Sequence, residues 1–227
     1  MTSKPAVKAA VVLAAGQGTR MHSRLPKVLH TLCGKPMAGH VVDAARSAGY
    51  SDVVEVVSPD ADEIRETFGD SVRYAVQQRP LGSGDALLSA RNSLSGVARV
   101  AVLSGDVPLV PSESLASMLS AHERAGAKVT LLTARVDDPS GLGRVVRNAE
   151  GTVQAVVEQA DADEQTAALN EINTGMYVFD GEWLWDALSG LSPSASGEVY
   201  LTDLIAAAAQ TPNQVADVEA PDATEVM

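Results

Sequence analysis

The chain has 227 residues, 45% of them hydrophobic, and a formal net charge of −12 from 17 basic and 29 acidic residues. This is enough material for a folded globular core, and the acidity argues against a general nucleic-acid or anionic-membrane surface, so any anion site must be local. A single cysteine, Cys33, excludes an internal disulfide and a thiolate metal centre; it suits a reducing cytoplasm and reads as a small buried side chain.

The first apolar run, Ala9 to Ala15, has seven residues. That is short for the core of an export signal and far below the ~20 needed to span a bilayer, so it reads as a buried strand and the protein as cytoplasmic. Further strands are predicted from Asp52 ("DVVEVVS"), Val72 ("VRYAV"), Val97 ("VARVAVL") and Lys128 ("KVTLLTARV"). Helical patterns lie between them: "PMAGHVVDAARSAG", "DADEIRETFG", "SGDALLSARNSL" and "PSESLASMLSAHERAG", with Pro36 and Pro111 as starts and Gly49 and Gly126 as stops. This alternation predicts an α/β fold with a mainly parallel, Rossmann-like sheet flanked by helices.

After Val136 the pattern changes. "GRVVRNAEGTVQAVVEQ" predicts a β-hairpin turning near Asn148 to Gly151, followed by a strand in "INTGMYVFD", helices in "EWLWDALSGL" and "YLTDLIAAAAQ", and a last strand in "QVADVEA". Trp183 and Trp185 are expected to anchor opposite sides of their helix, and the four histidines show no metal-ligand spacing.

Three polar segments follow predicted strands and should meet at the carboxyl edge of the sheet, where open parallel sheets bind ligands. In the first, Gly16 and Gly18 allow a tight turn whose N–H groups can approach phosphate, with Arg20 and Lys27 supplying charge. It is neither a dinucleotide fingerprint, since Met21 stands where a third glycine belongs, nor a P-loop. In the second, "QQRPLGSGDAL", Gln77 can read a nucleobase edge, Gly82 permits close approach, and Ser83 is placed as an N-cap. In the third, "SGDVP", Asp106 is either a hard-oxygen ligand for Mg²⁺ or a simple turn cap.

"LAAGQGTRM" with "LPKVLHTLCGKPM" resembles the signature of the sugar-nucleotide pyrophosphorylases. Within that superfamily the sequence is most similar to the bacterial bifunctional N-acetylglucosamine-1-phosphate uridylyltransferase / glucosamine-1-phosphate N-acetyltransferase, through "PLGSGDAL", "SGDVPL", "DDPSGLGRVVRN", "VVEQADADEQ", "EINTGMYVFD" and "GEVYLTD" in order. The resemblance implies transfer of a uridylyl group from UTP to N-acetylglucosamine 1-phosphate, giving UDP-N-acetylglucosamine and pyrophosphate with Mg²⁺, for cell-wall precursor synthesis. By the same resemblance Leu13, Ala14, Ala15 and Gly16, with Gln77, Gly82 and Ser83, hold the uridine. Arg20 and Lys27 contact the triphosphate, Asp106 binds Mg²⁺, and Gly143, Glu158 and Asn173 hold the acetylated sugar.

Two departures from the family pattern stand out. Ser104 occupies a position where relatives often carry tyrosine, and the chain stops at "PDATEVM", short of a segment carrying a metal-binding asparagine. The sequence is therefore expected to be one nucleotidyltransferase domain, residues 1–227, truncated at its C-terminal end. It would lack the β-helix acetyltransferase domain that makes the full-length relatives trimeric, and so be monomeric, with an incomplete Mg²⁺ site. Another sugar-1-phosphate nucleotidylyltransferase, or an impaired nucleotide-binding module, is the alternative.

Overall fold

A computed structural model describes residues 7–16, 18, 21–194 and 197–227. The chain runs β1 (Lys8–Leu13), β2 (Thr31–Leu32), β3 (Lys35–Pro36), α1 (Met37–Ser47), β4 (Asp52–Val57), α2 (Asp62–Phe68), β5 (Arg73–Val76), α3 (Ser83–Ser89), β6 (Arg99–Ser104) and α4 (Ser112–Ala125). It continues through β7 (Val129–Arg135), β8 (Arg144–Arg147), β9 (Val153–Val157), α5 (Glu164–Ala167), β10 (Glu171–Asp180), α6 (Gly181–Ser189), α7 (Asp203–Ala209) and β11 (Val215–Glu219).

The main sheet has the order β11-β7-β10-β6-β1-β4-β5. Strand β1 lies at its centre, parallel to β4 on one side and β6 on the other, so the chain changes direction of winding there. Only β10 runs against its neighbours on this path, between β6 and β7. The β8–β9 hairpin hangs from β10, through the pairing of Arg144 with Ile172.

The continuous apolar character of β1 follows from burial of both its faces. Ala9 and Val11 join a core with Val54, Val102 and Phe179 under α3, α6 and α7. Ala10 and Val12 turn to the other side and pack with Val41, Leu103 and Met118 under α1 and α4. The predicted helix starts and stops also hold: Pro36 and Pro111 precede α1 and α4, and Gly126 ends α4 in the left-handed conformation at φ +59°. The predicted helix from Ser83 to Leu94 divides at Ala90 into α3 and a 3₁₀ turn. In α6, Trp185 is buried, while Trp183 lies at the core's margin with the Lys128 ammonium over its ring.

The expectation for Cys33 is overturned. The residue sits at the tip of the short β2–β3 hairpin with φ +50° and is exposed, because the turn itself has no interior. Among the described residues, no helix is long and apolar enough to cross a membrane.

Candidate functional site

The carboxyl ends of β1, β5 and β6 border a cavity of about 630 Å³. Leu13, Ala15, Gly16, Lys27, Gln77, Gly82, Ser83, Ser104 and Asp106 line it, together with Glu198. The structure thus brings the three polar segments together as the strand order requires. Arg20 lies outside the described residues.

The four residues after the first strand differ in what they leave free. Leu13 O accepts from Gly105 N–H at 3.1 Å, and Ala14 is buried with its N–H donating to Val56 O at 2.8 Å. Ala15 and Gly16 lie beyond this ladder and line the cavity. Gly105 must be glycine for the third segment to come so near, since a Cβ there would meet Leu13 O at 2.9 Å.

Lys27 opens a 3₁₀ turn, Lys27–Leu29, whose other two residues, Val28 and Leu29, are buried and so fix its position. Its Nζ lies 2.6 Å from Asp106 Oδ2, across 79 residues of sequence. The two side chains are 40% and 34% exposed, so this ion pair adds little to stability and stays open to exchange with a charged ligand. Among the described residues there is no group of three or more His, Cys, Asp or Glu that could hold a metal. The two carboxylates lining the cavity, Asp106 and Glu198, do not make an all-protein cage; Asp106, beside Lys27, fits a hard cation shared with substrate phosphates, as Mg²⁺ usually is.

Gln77 is 7% exposed, and its Nε2 donates to Gly82 O at 3.1 Å and to Asp85 Oδ2 at 2.9 Å. The partnership with Asp85 was not foreseen from sequence, where the glycines and Ser83 of "PLGSGDAL" carried the meaning; an acid eight residues after a buried amide, on the next helix's first turn, is the pattern that shows it. Ser83 also departs from expectation. Gly82 caps α3, and the Ser83 hydroxyl accepts from Leu201 N–H at 3.0 Å instead of from its own helix.

The reason lies in residues 199–202, which cross over the Gly82 turn. Val199 N–H donates to Leu81 O, Gly84 N–H donates to Val199 O, each at 2.8 Å, and Leu201 adds the Ser83 contact. A Cβ on Gly82 would lie 2.6 Å from Val199 O, at a φ of +103° that L side chains avoid. Gly82→Ala is therefore expected to destabilise the fold by about 2 kcal/mol, seen as a lower melting temperature; an unchanged melting temperature would contradict the tight crossing.

Gly143, Glu158 and Asn173 form a second cluster, beside the cavity. A Cβ on Gly143 would stand 3.4 Å from Glu158 Oε2 and 3.7 Å from Asn173 Cβ, and Asn173 N–H donates to Gly143 O at 2.9 Å. The Asn173 amide is oriented from both ends: Nδ2 donates to the Tyr177 hydroxyl at 2.7 Å, and Oδ1 accepts from Gly175 N–H at 3.2 Å across an irregularity in β10. Glu158 Oε1 accepts from Thr202 Oγ1 at 3.0 Å; burial raises the Glu158 carboxyl above its ordinary value, and the Thr202 hydrogen bond partly offsets this. Buried Arg144 braces the turn that carries Gly143, donating to Leu142 O and to Gln159 Oε1, which also accepts from Gly141 N–H. Residues 199–202 therefore touch both clusters, Ser83 on one side and Glu158 on the other.

Comparison with known proteins gives the family of the chain. The nucleotidyl transferase family profile matches residues 9–223. The chain is 46% identical over 198 residues to the bifunctional protein GlmU of Halalkalibacterium halodurans, covering 86% of this chain and 44% of that protein. It is 47% identical over 220 residues to GlmU of an Exiguobacterium species, covering 96% and 49% respectively. The chain thus spans about half the length of the curated relatives it matches. Among solved structures, a putative glucose-1-phosphate thymidylyltransferase from Bacillus anthracis superposes with a TM-score of 0.76 over 94% of this chain and 87% of that one, at 20% identity, which speaks for the fold alone.

Proposed function

Since the chain belongs to the nucleotidyl transferase family, we propose that it transfers a uridylyl group from UTP to N-acetylglucosamine 1-phosphate, releasing pyrophosphate and giving UDP-N-acetylglucosamine in the cytoplasm. The observation that carries this reading is the meeting of Lys27 and Asp106 at 2.6 Å in a cavity bordered by two glycine-bearing loops. An ammonium beside a carboxylate, with backbone approach on either side, supports the reading of Lys27 as a phosphate contact and Asp106 as a metal ligand.

In this reading the nucleoside lies along Ala15, Gly16, Gln77 and Gly82, and the acetylated sugar against Gly143, Glu158 and Asn173. A phosphate oxygen of the sugar 1-phosphate attacks the α-phosphorus of UTP. The new oxygen–phosphorus bond forms as the bond to the β-phosphate oxygen breaks, and pyrophosphate leaves with the electron pair. The attacking oxygen is already anionic, so no side chain need remove a proton. Catalysis then rests on alignment and on neutralising charge. Lys27 would leave Asp106 to bind phosphate oxygens, and Arg20 would hold the departing pyrophosphate. Asp106, so freed, would hold Mg²⁺, which when bound neutralises phosphate charge as a Lewis acid.

The test is pyrophosphate release across nucleoside triphosphates and sugar 1-phosphates. UTP with N-acetylglucosamine 1-phosphate is the pair expected to react fastest. A clear preference for thymidine or guanosine triphosphate, or for an unacetylated sugar, would replace this assignment with another nucleotidylyl transfer.

A further inference from the structure

We propose that Asp85 is a positioning residue that sets base selectivity by fixing which end of the Gln77 amide faces the nucleotide. The inference rests on the functional reading above and adds to it a determinant outside the cavity lining. Gln77 has one amide with two unlike ends, and a half-turn about its last bond would exchange donor for acceptor. Two acceptors stand on the same side of it, Gly82 O at 3.1 Å and Asp85 Oδ2 at 2.9 Å. A carboxylate accepts only, as does a carbonyl, so both require the NH₂ group. Turning the amide over would set its oxygen against two oxygens and forfeit both hydrogen bonds, in a side chain that is 7% exposed and cannot recover them from water.

The NH₂ group is consequently spent within the protein, and Oε1 is the amide atom left for a ligand. Among the described residues no donor is assigned to it. An acceptor in the base site complements uracil, whose N3 carries a proton, and opposes cytosine, whose N3 is itself an acceptor. The Gly82 carbonyl alone would bias the amide; Asp85 adds the charged partner that locks it, since hydrogen bonds to ionised groups are the stronger kind. Asp85 also lies in the first turn of α3, where an acid favours the helix dipole. That role alone would show in stability and leave the choice of base untouched.

Calorimetric binding of UTP and of CTP, each with Mg²⁺, separates these roles. Asp85→Ala is expected to reduce the UTP-over-CTP affinity ratio about tenfold, the scale of one charge-assisted hydrogen bond, mostly through weaker UTP binding. Asp85→Asn carries a donor beside its acceptor and so tolerates either orientation of the Gln77 amide; it is expected to reduce the ratio as well, though by less than Asp85→Ala. Each variant is melted in parallel; should Asp85→Ala not fold, Asp85→Ser, too short to reach Nε2, serves in its place. A folded Asp85→Ala or Asp85→Ser that keeps the full ratio, or an Asp85→Asn that keeps it, overturns the assignment of Asp85 alone. Wild-type protein that binds no UTP overturns the functional reading and this inference with it.

Discussion

Lys27→Ala is expected to lower kcat about a thousandfold, the scale on which a single preorganised donor to a transition-state oxyanion acts, while the protein remains folded. The ammonium lies 2.6 Å from Asp106 Oδ2 and has no other charge partner among the described residues. The rest of its turn is held by buried Val28 and Leu29, which the substitution leaves alone. A Cβ on Gly18 would approach the Lys27 Cβ to 2.7 Å, and alanine keeps the Lys27 Cβ, so the backbone contact survives as well. The half-exposed ion pair is worth at most about 1 kcal/mol, which in a chain of this size corresponds to a shift in melting temperature of about 2–4 °C. Steady-state kinetics beside a thermal melt tests both halves. Near-normal turnover would remove Lys27 from the chemistry, and a collapsed melt would make its role structural.

Glu55→Leu is expected to stabilise the protein above neutral pH by about 3 kcal/mol, from a carboxyl shift of roughly two units at 1.36 kcal/mol each. Glu55 stands in the middle of β4, paired with Val12 on β1 and Tyr74 on β5. It is 0% exposed, and neither carboxylate oxygen has a hydrogen-bond partner. Burial pushes its carboxyl up from 4.5 to about 7. Below about pH 4.5 the folded and unfolded chains both hold this proton, and the full stability is present. Between there and about pH 7 the unfolded chain has lost the proton while the folded one keeps it, so stability falls as pH rises and the loss is complete above the folded value.

Buried His122 acts in the opposite sense. Burial, aided by the Arg99 charge, lowers its imidazole to about 4, so it adds stability as pH rises from there to about 6.5. The difference between wild type and Glu55→Leu cancels that contribution. Denaturant midpoints at pH 5, 6, 7 and 8 should show the two proteins diverging progressively. A constant difference across that range would show that the Glu55 carboxyl is not held protonated.

The sheet was legible because its cause is local. The two-sided burial of β1 and the alternation of apolar runs with capped helices specify a mainly parallel α/β arrangement, and the position of β1 follows once β4 and β6 flank it. The hairpin at Asn148 to Gly151 was marked by turn chemistry in the same way, whereas the Asp180 side chain that caps α6 was not singled out. The β2–β3 hairpin was not, because two-residue arms carry no periodicity, and exposed Cys33 at its tip was misread for the same reason. What the Ser83 hydroxyl accepts could not be read from sequence either. Its donor lies 118 residues away at Leu201, and a nearer capping role satisfied every local rule. Gln77 was legible as an amide with no structural excuse, whereas the direction in which it points is a property of Asp85 and Gly82 together.

The one reversed strand on the main path of the sheet, β10, separates two kinds of sheet edge. The loops bordering the main cavity follow β1, β5 and β6, all running one way, while Asn173 sits near the beginning of β10 and Gly143 and Glu158 flank the hairpin hung from it. One half of the sheet edge is thus made of strand ends and the other of a strand's beginning and its appendage. On the function proposed above, changes of length or sequence in the hairpin would re-cut the acceptor side while the registers of β1, β4 and β6 stay as they are, so the fold would exchange one sugar for another without rebuilding the proposed nucleotide site.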